Sequence, residues 1–347
     1  MKKILLASTA LIASAGFAAA EVTIGGDGYM GVAYGNLKDG IFATTDTSAT
    51  ETAPGSGEFV SDYSFVYDLD VDFKVSLQSD SGLTFGASGD FDDLGKSQGA
   101  RGFDNSIFVS GDFGTITMGD INGAAEQVIG DLAGVGLTGL GDFNENIFLV
   151  TAAAQPRGPV ARYDYSVSGI TLSLGLTDDS GYNVGASYAT DLFSVGLAYE
   201  AVADGATVTV FDIDALGSSA GGSSFTATAP NGASQVIGQA SVTFSGVTLK
   251  GVYGRIDVDS ATIDTVDQYG VSASARFDAA TVSAYYRTVE PDFKVAGTPS
   301  DDFVAYGLGA EYDLGGGLKL EAGVAQAERD TVKDTLTVAD FGVSINF

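Results

Sequence analysis

The side chains best suited to chemistry in this sequence are carboxylates. The chain has 45 acidic and 16 basic residues, which gives a formal net charge of −29. Asp68, Asp70 and Asp72 occupy every second position, so a β-strand would carry all three on one face. Such a row attracts cations and repels phosphates, and no basic cluster balances it, so nucleic acid is excluded as a partner.

Two residue types that carry much enzyme chemistry are absent, since the sequence has 0 His and 0 Cys. Without imidazole there is no Ser–His or Cys–His nucleophile pair, and the commonest zinc and iron ligand is missing. Without cysteine there is no disulfide scaffold and no thiolate metal site. The sequence therefore argues against an enzyme, including a lipase or a protease.

The elements that must position the carboxylates are β-strands, because apolar and polar residues alternate with a period of two. The clearest segment has an apolar face of Tyr63, Phe65, Tyr67, Leu69, Val71, Phe73, Val75 and Leu77, and a polar face of Ser64, Asp68, Asp70, Asp72, Lys74, Ser76 and Gln78. Successive side chains of a strand point in opposite directions. One face must therefore contact lipid or a core, and the other must contact water.

Short turns separate these strands. Similar sequences recur at Ser81–Phe85, Ser168–Leu172 and Ser245–Leu249, where a glycine that tolerates positive φ precedes a new alternating strand. Further turns are predicted at Gly111–Gly114, Thr190–Leu192, Asp278–Ala280 and Leu314–Gly317. The sequence thus predicts seven tight turns.

Longer, polar and glycine-rich connections lie between the turns. We place them at about residues 36–59, 94–103, 120–159, 178–181, 203–233, 259–266, 290–301 and 328–335. Eight long connections and seven tight turns join sixteen antiparallel strands. This asymmetry is typical of an all-β transmembrane barrel, in which the short turns and both chain ends lie on one side of the membrane.

Closure of the sheet explains how such strands could be stable in lipid, because a closed barrel has no unpaired backbone edge. Sixteen strands also leave an interior wide enough for water. We predict an aromatic girdle near the short turns, formed by Phe193, Phe244, Phe277 and Phe347. A second girdle, farther along the strands, would be formed by Tyr34, Tyr63, Tyr188, Tyr199 and Tyr286.

The first residues predict export from the cytoplasm. Lys2 and Lys3 precede an apolar run that ends in three alanines at positions 18–20. This is the pattern of a cleaved secretory signal peptide, and the run is too short for a membrane-spanning helix. We therefore predict a signal peptide at residues 1–20 and a barrel domain at residues 21–347, located in the outer membrane.

Three stretches carry a resemblance to a known family. They are Glu21–Val32 (EVTIGGDGYMGV), residues 118–126 (MGDINGAAE) continuing to Gly130–Leu132, and Tyr306–Gly317 (YGLGAEYDLGGG). These stretches resemble alphaproteobacterial general porins, the Rhodobacter-type diffusion porins of Gram-negative outer membranes, and the resemblance runs from Glu21 to Phe347. A terminal phenylalanine on an alternating strand is also similar to the outer-membrane insertion signal of such proteins.

The resemblance implies a homotrimer in outer-membrane lipid, through which small hydrophilic solutes and ions diffuse passively. It implies that the outer-membrane assembly machinery recognises Phe347. It also implies that the third long loop folds into the lumen and narrows the channel. The connection at about residues 120–159 is the longest one and the third on the long-loop side, and its apolar residues, such as Ile129 and Leu132, predict that it packs on the wall.

Channels of this family set loop carboxylates against a basic wall, so the resemblance points to Glu126, Asp131, Asp142 and Glu145 as loop candidates. For the wall, counting strand residues at about 3.3 Å each from the nearest short turn places Lys74, Arg162, Lys250 and Arg287 inward near mid-height. Asp68, Asp70 and Asp72 depart from the family pattern, which tends to have arginines on this strand. We therefore expect a weaker or rearranged field across the channel.

The excess of inward-facing acids predicts a cation-selective channel. No cofactor is expected, although Asp131, Asp142 and Glu145 could contribute to a calcium site, since calcium takes six to eight oxygen ligands. Two alternatives stay open. One is a solute-specific outer-membrane channel. The other is a secreted adhesin-like surface β-protein, which predicts neither an even strand count nor an apolar band.

Overall fold

The structure is a computed structural model. It describes residues 20–35, 62–91, 104–150, 160–178, 180–211, 225–229, 231–258, 260–295, 298, 300–330 and 332–347. The predicted signal peptide, apart from residue 20, lies outside the described residues, as do the first two long connections.

Eighteen strands form within the described residues. They are β1 (Glu21–Gly35), β2 (Asp62–Gln78), β3 (Thr84–Phe91), β4 (Asp104–Gly111), β5 (Gly114–Gly119), β6 (Val160–Val167), β7 (Ile170–Thr177), β8 (Tyr182–Ala189), β9 (Phe193–Val202), β10 (Ala206–Phe211), β11 (Phe225–Ala229), β12 (Ala233–Phe244), β13 (Val247–Val258), β14 (Ile263–Phe277), β15 (Ala280–Phe293), β16 (Phe303–Gly315), β17 (Leu318–Arg329) and β18 (Val332–Asn346). The same part of the chain contains one short helix, α1 (Ala124–Ile129), and one 3-10 turn, Gly139–Gly141. No described helix is long and apolar enough to cross a membrane.

Sixteen of the described strands close into one antiparallel barrel, as the sequence predicts. Each strand pairs with its neighbours in the chain, except that β9 pairs with β12, because β10 and β11 form a separate two-stranded sheet. The barrel closes where β1 pairs with β18, from Asp27 opposite Asn346 to Gly35 opposite Val338. Closure leaves the barrel sheet without a free edge.

The alternating pattern sets the two faces of the wall. On β2, the apolar residues Tyr63, Phe65 and Tyr67 are 70%, 77% and 55% exposed, so they point away from the barrel. The intervening acids therefore point inward. Of the predicted girdle tyrosines, Tyr188 lies elsewhere than expected: it precedes a short turn and packs on Phe193 with ring centroids 5.8 Å apart, so it belongs to the girdle at the short turns.

The tight turns follow the predicted chemistry. At Ser168–Gly169 and at Ser245–Gly246 both residues have positive φ, with values of 49° and 83° in the first turn and 50° and 80° in the second. Two consecutive residues with positive φ make a turn whose twist matches that of the flanking strands. The second residue of each pair is therefore glycine, which adopts this conformation without steric cost.

Several strands are longer on the long-loop side than the sequence predicts. Residues 263–266, 290–293 and 332–335 were expected in loops, but they belong to β14, β15 and β18. The polar composition of these segments is typical of loops, yet the pairing of backbone groups does not depend on side-chain polarity. Pro291 also fits, because β15 is paired with β16 only as far as Val289, so Pro291 has a partner strand on one side alone.

Candidate functional site

The segment that follows β5, residues 120–150, lies against the inside of the barrel wall. Helix α1 packs on β7, β8 and β9. Farther along, Leu132 contacts the wall at Gly270 on β14, Val135 at Gly309 on β16, and Leu137 at Gly342 on β18 and Gly31 on β1. The segment therefore follows the inner wall from β7 round to β1. Residues 151–159, the rest of the predicted loop, lie outside the described residues.

Inward-facing glycines make room for this segment. A Cβ added at Gly270 would lie 2.5 Å from Leu132 Cδ1, and one added at Gly309 would lie 2.8 Å from Val135 Cβ. Carbon atoms in contact are normally about 3.5 to 4.0 Å apart. The same holds for Gly342, whose added Cβ would lie 2.5 Å from Leu137 Cδ2. Glycine at these positions lets the segment approach the wall backbone.

The segment folds back on itself as two limbs, which we call the outgoing limb (residues 124–137) and the return limb (residues 143–150). Asn144 Nδ2 donates to the carbonyl of Leu132 at 3.0 Å. Asn146 Nδ2 donates to the carbonyl of Gly130 at 3.0 Å, and its backbone N–H donates to Asp131 Oδ1 at 2.7 Å. These hydrogen bonds hold the two limbs side by side.

Charged wall side chains fasten the segment at two further points. At the tip, which is formed by residues 138–142 between the two limbs, Asp340 Oδ2 accepts hydrogen bonds from Thr138 N at 2.7 Å and from Thr138 Oγ1 at 2.9 Å. In the middle, Lys250 Nζ donates to the carbonyls of Ile129 at 2.6 Å and Asp131 at 2.7 Å. Hydrogen bonds to charged groups are among the stronger ones in proteins.

Apolar packing completes the attachment. The buried core cluster joins Val128, Leu132 and Leu140 of the segment to wall residues such as Ile237 and Val289. The core of this protein therefore lies between the segment and part of the wall. We call the strands contacted by the two limbs and the tip, namely β1, β7–β9 and β12–β18, the covered arc, and we call β2–β5 the open arc.

The predicted acids of β2 lie on the open arc. Asp68 and Asp70 are half-buried and Asp72 is exposed, as is Lys74. Strand register extends the acidic surface, because Asp72 pairs with Asp90 on β3, which pairs with Asp104 on β4. Asp70 likewise pairs with Asp27 on β1, the adjoining strand of the covered arc. Directly paired residues share a face, so the acids concentrate on the inner side of this arc.

The predicted basic wall is arranged differently from the expectation. Lys250 is bound to the outgoing limb, and Arg287 is 6% exposed, with its guanidinium 5.9 Å from the centre of the Phe303 ring. Arg162 donates to the carbonyl of Asn122 and pairs with Asp164 at 2.8 Å. These three bases adjoin the loop segment and do not face it across the lumen. The expectation differed because strand position alone does not show which strands the segment covers.

The four loop acids occupy different parts of the segment. Glu126 is half-buried on α1, Asp131 lies in the middle of the outgoing limb, Asp142 lies at the tip, and Glu145 lies on the return limb. Asp142 and Glu145 are exposed, whereas Asp131 is half-buried.

Crowding in this region raises the pKa of three of the acids. Loss of hydration raises the pKa of Glu145 to about 7, helped by the charges of Asp142, Asp131 and Glu126 and opposed by Arg287. Its carboxyl reaches solvent, but surrounding protein atoms restrict its hydration. Loss of hydration also raises the pKa of Asp131 and, together with the charge of Asp131, that of Asp142. The acids therefore interact electrostatically.

The calcium expectation stays a prediction. In the part of the chain that the structure describes, no group of three or more carboxylates is arranged to hold a metal ion. Asp131 Oδ1 already accepts a hydrogen bond from Asn146. Asp131, Asp142 and Glu145 interact electrostatically, since the charge of Asp131 helps to raise the pKa of the other two acids.

Sequence reasoning missed most residues that hold the segment. Glu200, Gln235, Gln268 and Asp340 are each at most 6% exposed, and all four bind the segment or its neighbours. For Gln235 and Gln268, the signal in the sequence was a long amide side chain on the inward face of a strand. Inward glycines at every second position, such as Gly307 and Gly309, were another.

Comparisons with known proteins agree with this architecture. A model of the Gram-negative porin family matches residues 7–332. A porin of Rhodobacter capsulatus is 33% identical over 307 residues, which make up 82% of this chain and 94% of that protein. A porin of Fuscovulum blasticum is 25% identical over 303 residues, or 80% of this chain and 90% of that one. A solved porin structure refined at 1.8 Å matches with a TM-score of 0.67 and 27% identity, covering 94% of this chain and 100% of that chain.

A closed sixteen-stranded barrel with apolar side chains outside and paired acids on part of its inner wall defines a membrane channel protein. The chain belongs to the Gram-negative porin family. It is therefore an outer-membrane channel and not an enzyme, as the sequence predicts. The adhesin alternative does not fit this family.

Proposed function

We propose that this porin lets small hydrophilic solutes and ions diffuse passively across the outer membrane, with a preference for cations. The observation that carries the preference is the register of inward acids on the open arc, where Asp72, Asp90 and Asp104 lie side by side. Directly opposed like charges destabilise a sheet. Their summed negative potential favours the entry of cations over anions.

The segment supplies acids to the other side of the passage. Asp142 and Glu145 are exposed there, while the bases Lys250 and Arg287 are engaged with the segment or buried beside it. Acidic surfaces then bound the passage on both sides. Low-dielectric walls concentrate such a field along the path of an ion. The segment narrows the passage on this proposal, since it occupies lumen space along the covered arc.

Export, assembly and oligomeric state belong to the same proposal. Residues 1–20 act as a cleaved signal peptide, and three copies form a trimer in outer-membrane lipid. Phe347 is recognised by the assembly machinery. In the barrel, its backbone N–H donates to the Gly26 carbonyl at 2.9 Å and its carbonyl accepts from Gly26 N at 3.1 Å, while the side chain is 54% exposed. A terminal ring that is held at the backbone but open at the side chain is accessible for recognition.

Reconstitution tests the proposal directly. The protein is expressed in a Gram-negative host, recovered from the outer membrane, and inserted into a planar bilayer under a potassium chloride gradient. We expect a mature chain that begins at Glu21, a trimer that dissociates only on heating, and a reversal potential with the sign of cation preference. That preference should fade toward molar salt, because screening then acts over about 3 Å. An anion-selective channel would contradict the charge argument.

A further inference from the structure

Three long polar side chains lie on the inner wall with almost no exposure. Glu200 on β9 and Gln268 on β14 are 0% exposed, and Gln235 on β12 is 1% exposed. They face inward, where a barrel of this kind would normally present polar groups to water. Burying a polar group is costly unless hydrogen bonds replace the lost water. All three side chains find those partners in the return limb.

The two glutamines bind one backbone unit of the return limb. Gln268 Oε1 accepts a hydrogen bond from Ile147 N at 2.8 Å. The carbonyl of Ile147 accepts from Gln268 Nε2 and from Gln235 Nε2, both at 2.8 Å. Gln268 Nε2 also donates to Gln235 Oε1 at 2.8 Å, which fixes the orientation of both amides.

Glu200 binds the next part of the limb. Its carboxylate accepts from Leu149 N at 2.9 Å, from Val150 N at 3.2 Å and from Gln235 Nε2 at 2.9 Å. The limb thus has the N–H groups of residues 147, 149 and 150 and the carbonyl of residue 147 satisfied by wall side chains. The wall thus hydrogen-bonds to the backbone of the limb, as a neighbouring strand would, but it does so with side chains and not with its own backbone.

We propose that Glu200, Gln235 and Gln268 are positioning residues that fix the return limb and thereby set the width of the passage. The inference rests on the proposed function. These residues touch no solute, because they lie behind the limb. They act through Asp142 and Glu145, which precede the bound residues 147–150 in the chain. They also act through Asn144 and Asn146, which hold the return limb against the outgoing limb.

Substitutions by uncharged residues test the role of Glu200 and Gln268. Glu200→Gln keeps the size of the side chain but turns one accepting oxygen into a donor that faces backbone donors. Gln268→Leu removes the acceptor and one donor for Ile147. The control is Asp72→Asn, which neutralises an inward acid on the open arc, away from the limb.

Two measurements separate positioning from charge. Hydrogen exchange of the trimer in detergent should show amides 147–150 exchanging about tenfold faster in Glu200→Gln and Gln268→Leu, since each loses a buried hydrogen bond. Liposome swelling with sugars of increasing size should show a larger exclusion limit in both variants. Asp72→Asn should leave the exchange and the exclusion limit at wild-type values while it shifts the reversal potential.

The outcomes are distinct. Unchanged exchange in both variants would overturn the proposal, as would faster exchange with an unchanged exclusion limit. Failure of both variants to form heat-modifiable barrels would also overturn it, because it would give the set a role in the wall itself. None of these results depends on the sign of ion selectivity, so an anion-selective wild type would refute the proposed function and leave this inference standing.

Discussion

The covered arc and the open arc belong to one barrel and carry the same outward pattern, yet their inward faces differ. The covered arc presents glycines, amides and buried apolar residues, such as Gly270, Gln268 and Ile237. The open arc presents acids in register, such as Asp72 and Asp90. The outward faces are alike because both meet lipid. The inward faces differ because one meets protein and the other, on the proposed function, borders the passage.

The difference shows that the inner side of the wall provides two environments, one packed against protein and one lined by paired acids. The covered arc behaves like the interior of a soluble domain, where every polar group needs a protein partner. On the open arc, neighbouring acids remain in direct register, an arrangement that close packing without solvent would make costly. Predictions about a residue therefore depend on the arc it occupies.

The largest effect is expected from overfilling the covered arc. Gly270→Leu would place side-chain atoms where Leu132 packs, so the outgoing limb must move. Overpacking of this kind costs about 1 to 3 kcal/mol. We expect lower folding yield and a channel whose single-channel conductance differs by a large factor from wild type. Ser88→Leu on the open arc is the matched change, and it should only reduce conductance moderately. Equal effects at both positions would remove the distinction between the arcs.

Neutralising the open arc should give the next largest effect. Replacement of Asp68, Asp70 and Asp72 by Asn should shift the reversal potential toward anions without abolishing conductance. At 0.1 M salt screening acts over about 10 Å, so the shift should be clearest at low ionic strength. The comparison variant is Glu328→Gln on the outer face of β17, which should leave the reversal potential in place. An unchanged potential in the triple variant would mean that these acids do not border the passage.

The acidity of Glu145 should appear in the pH dependence of selectivity. Its raised pKa of about 7 means that the carboxyl is neutral below this pH and charged above it. Cation preference should therefore weaken as the pH falls from 8 to 6, a range in which ordinary carboxylates stay ionised. Glu145→Gln should flatten this step and hold selectivity near the low-pH value of wild type. A wild-type profile that is flat over the range would contradict the crowding of Glu145.

The smallest effect is expected from replacing single lysines, one on each arc. Lys250→Met leaves the carbonyls of Ile129 and Asp131 without their donor, which should increase current fluctuations as the outgoing limb loosens. Lys74→Met on the open arc removes an exposed charge and should increase cation preference with little change in fluctuations. Current noise and reversal potential are read from the same bilayer record. If Lys250→Met changed only the reversal potential, Lys250 would be a charge of the passage, as the sequence alone suggests.

The wall of this protein could be read from the sequence. Alternation along β2 and the Ser–Gly turns at positions 168–169 and 245–246 identify strands, turns and the sixteen-stranded barrel. These features are local, because strand period and turn conformation depend on neighbouring residues. Strand ends were less well predicted, since β14 and β18 continue into polar segments where pairing, and not composition, defines the strand.

The arrangement inside the wall required the tertiary structure. The sequence identifies Lys250 and Arg287 as inward-facing bases, but only the course of residues 120–150 shows that they adjoin that segment and do not oppose it. Likewise, nothing local distinguishes Glu200, which is buried behind the return limb, from Asp72, which is exposed on the open arc. Period-two alternation tells on which face a residue lies. What that face meets depends on where a distant segment packs, and only the folded chain decides this.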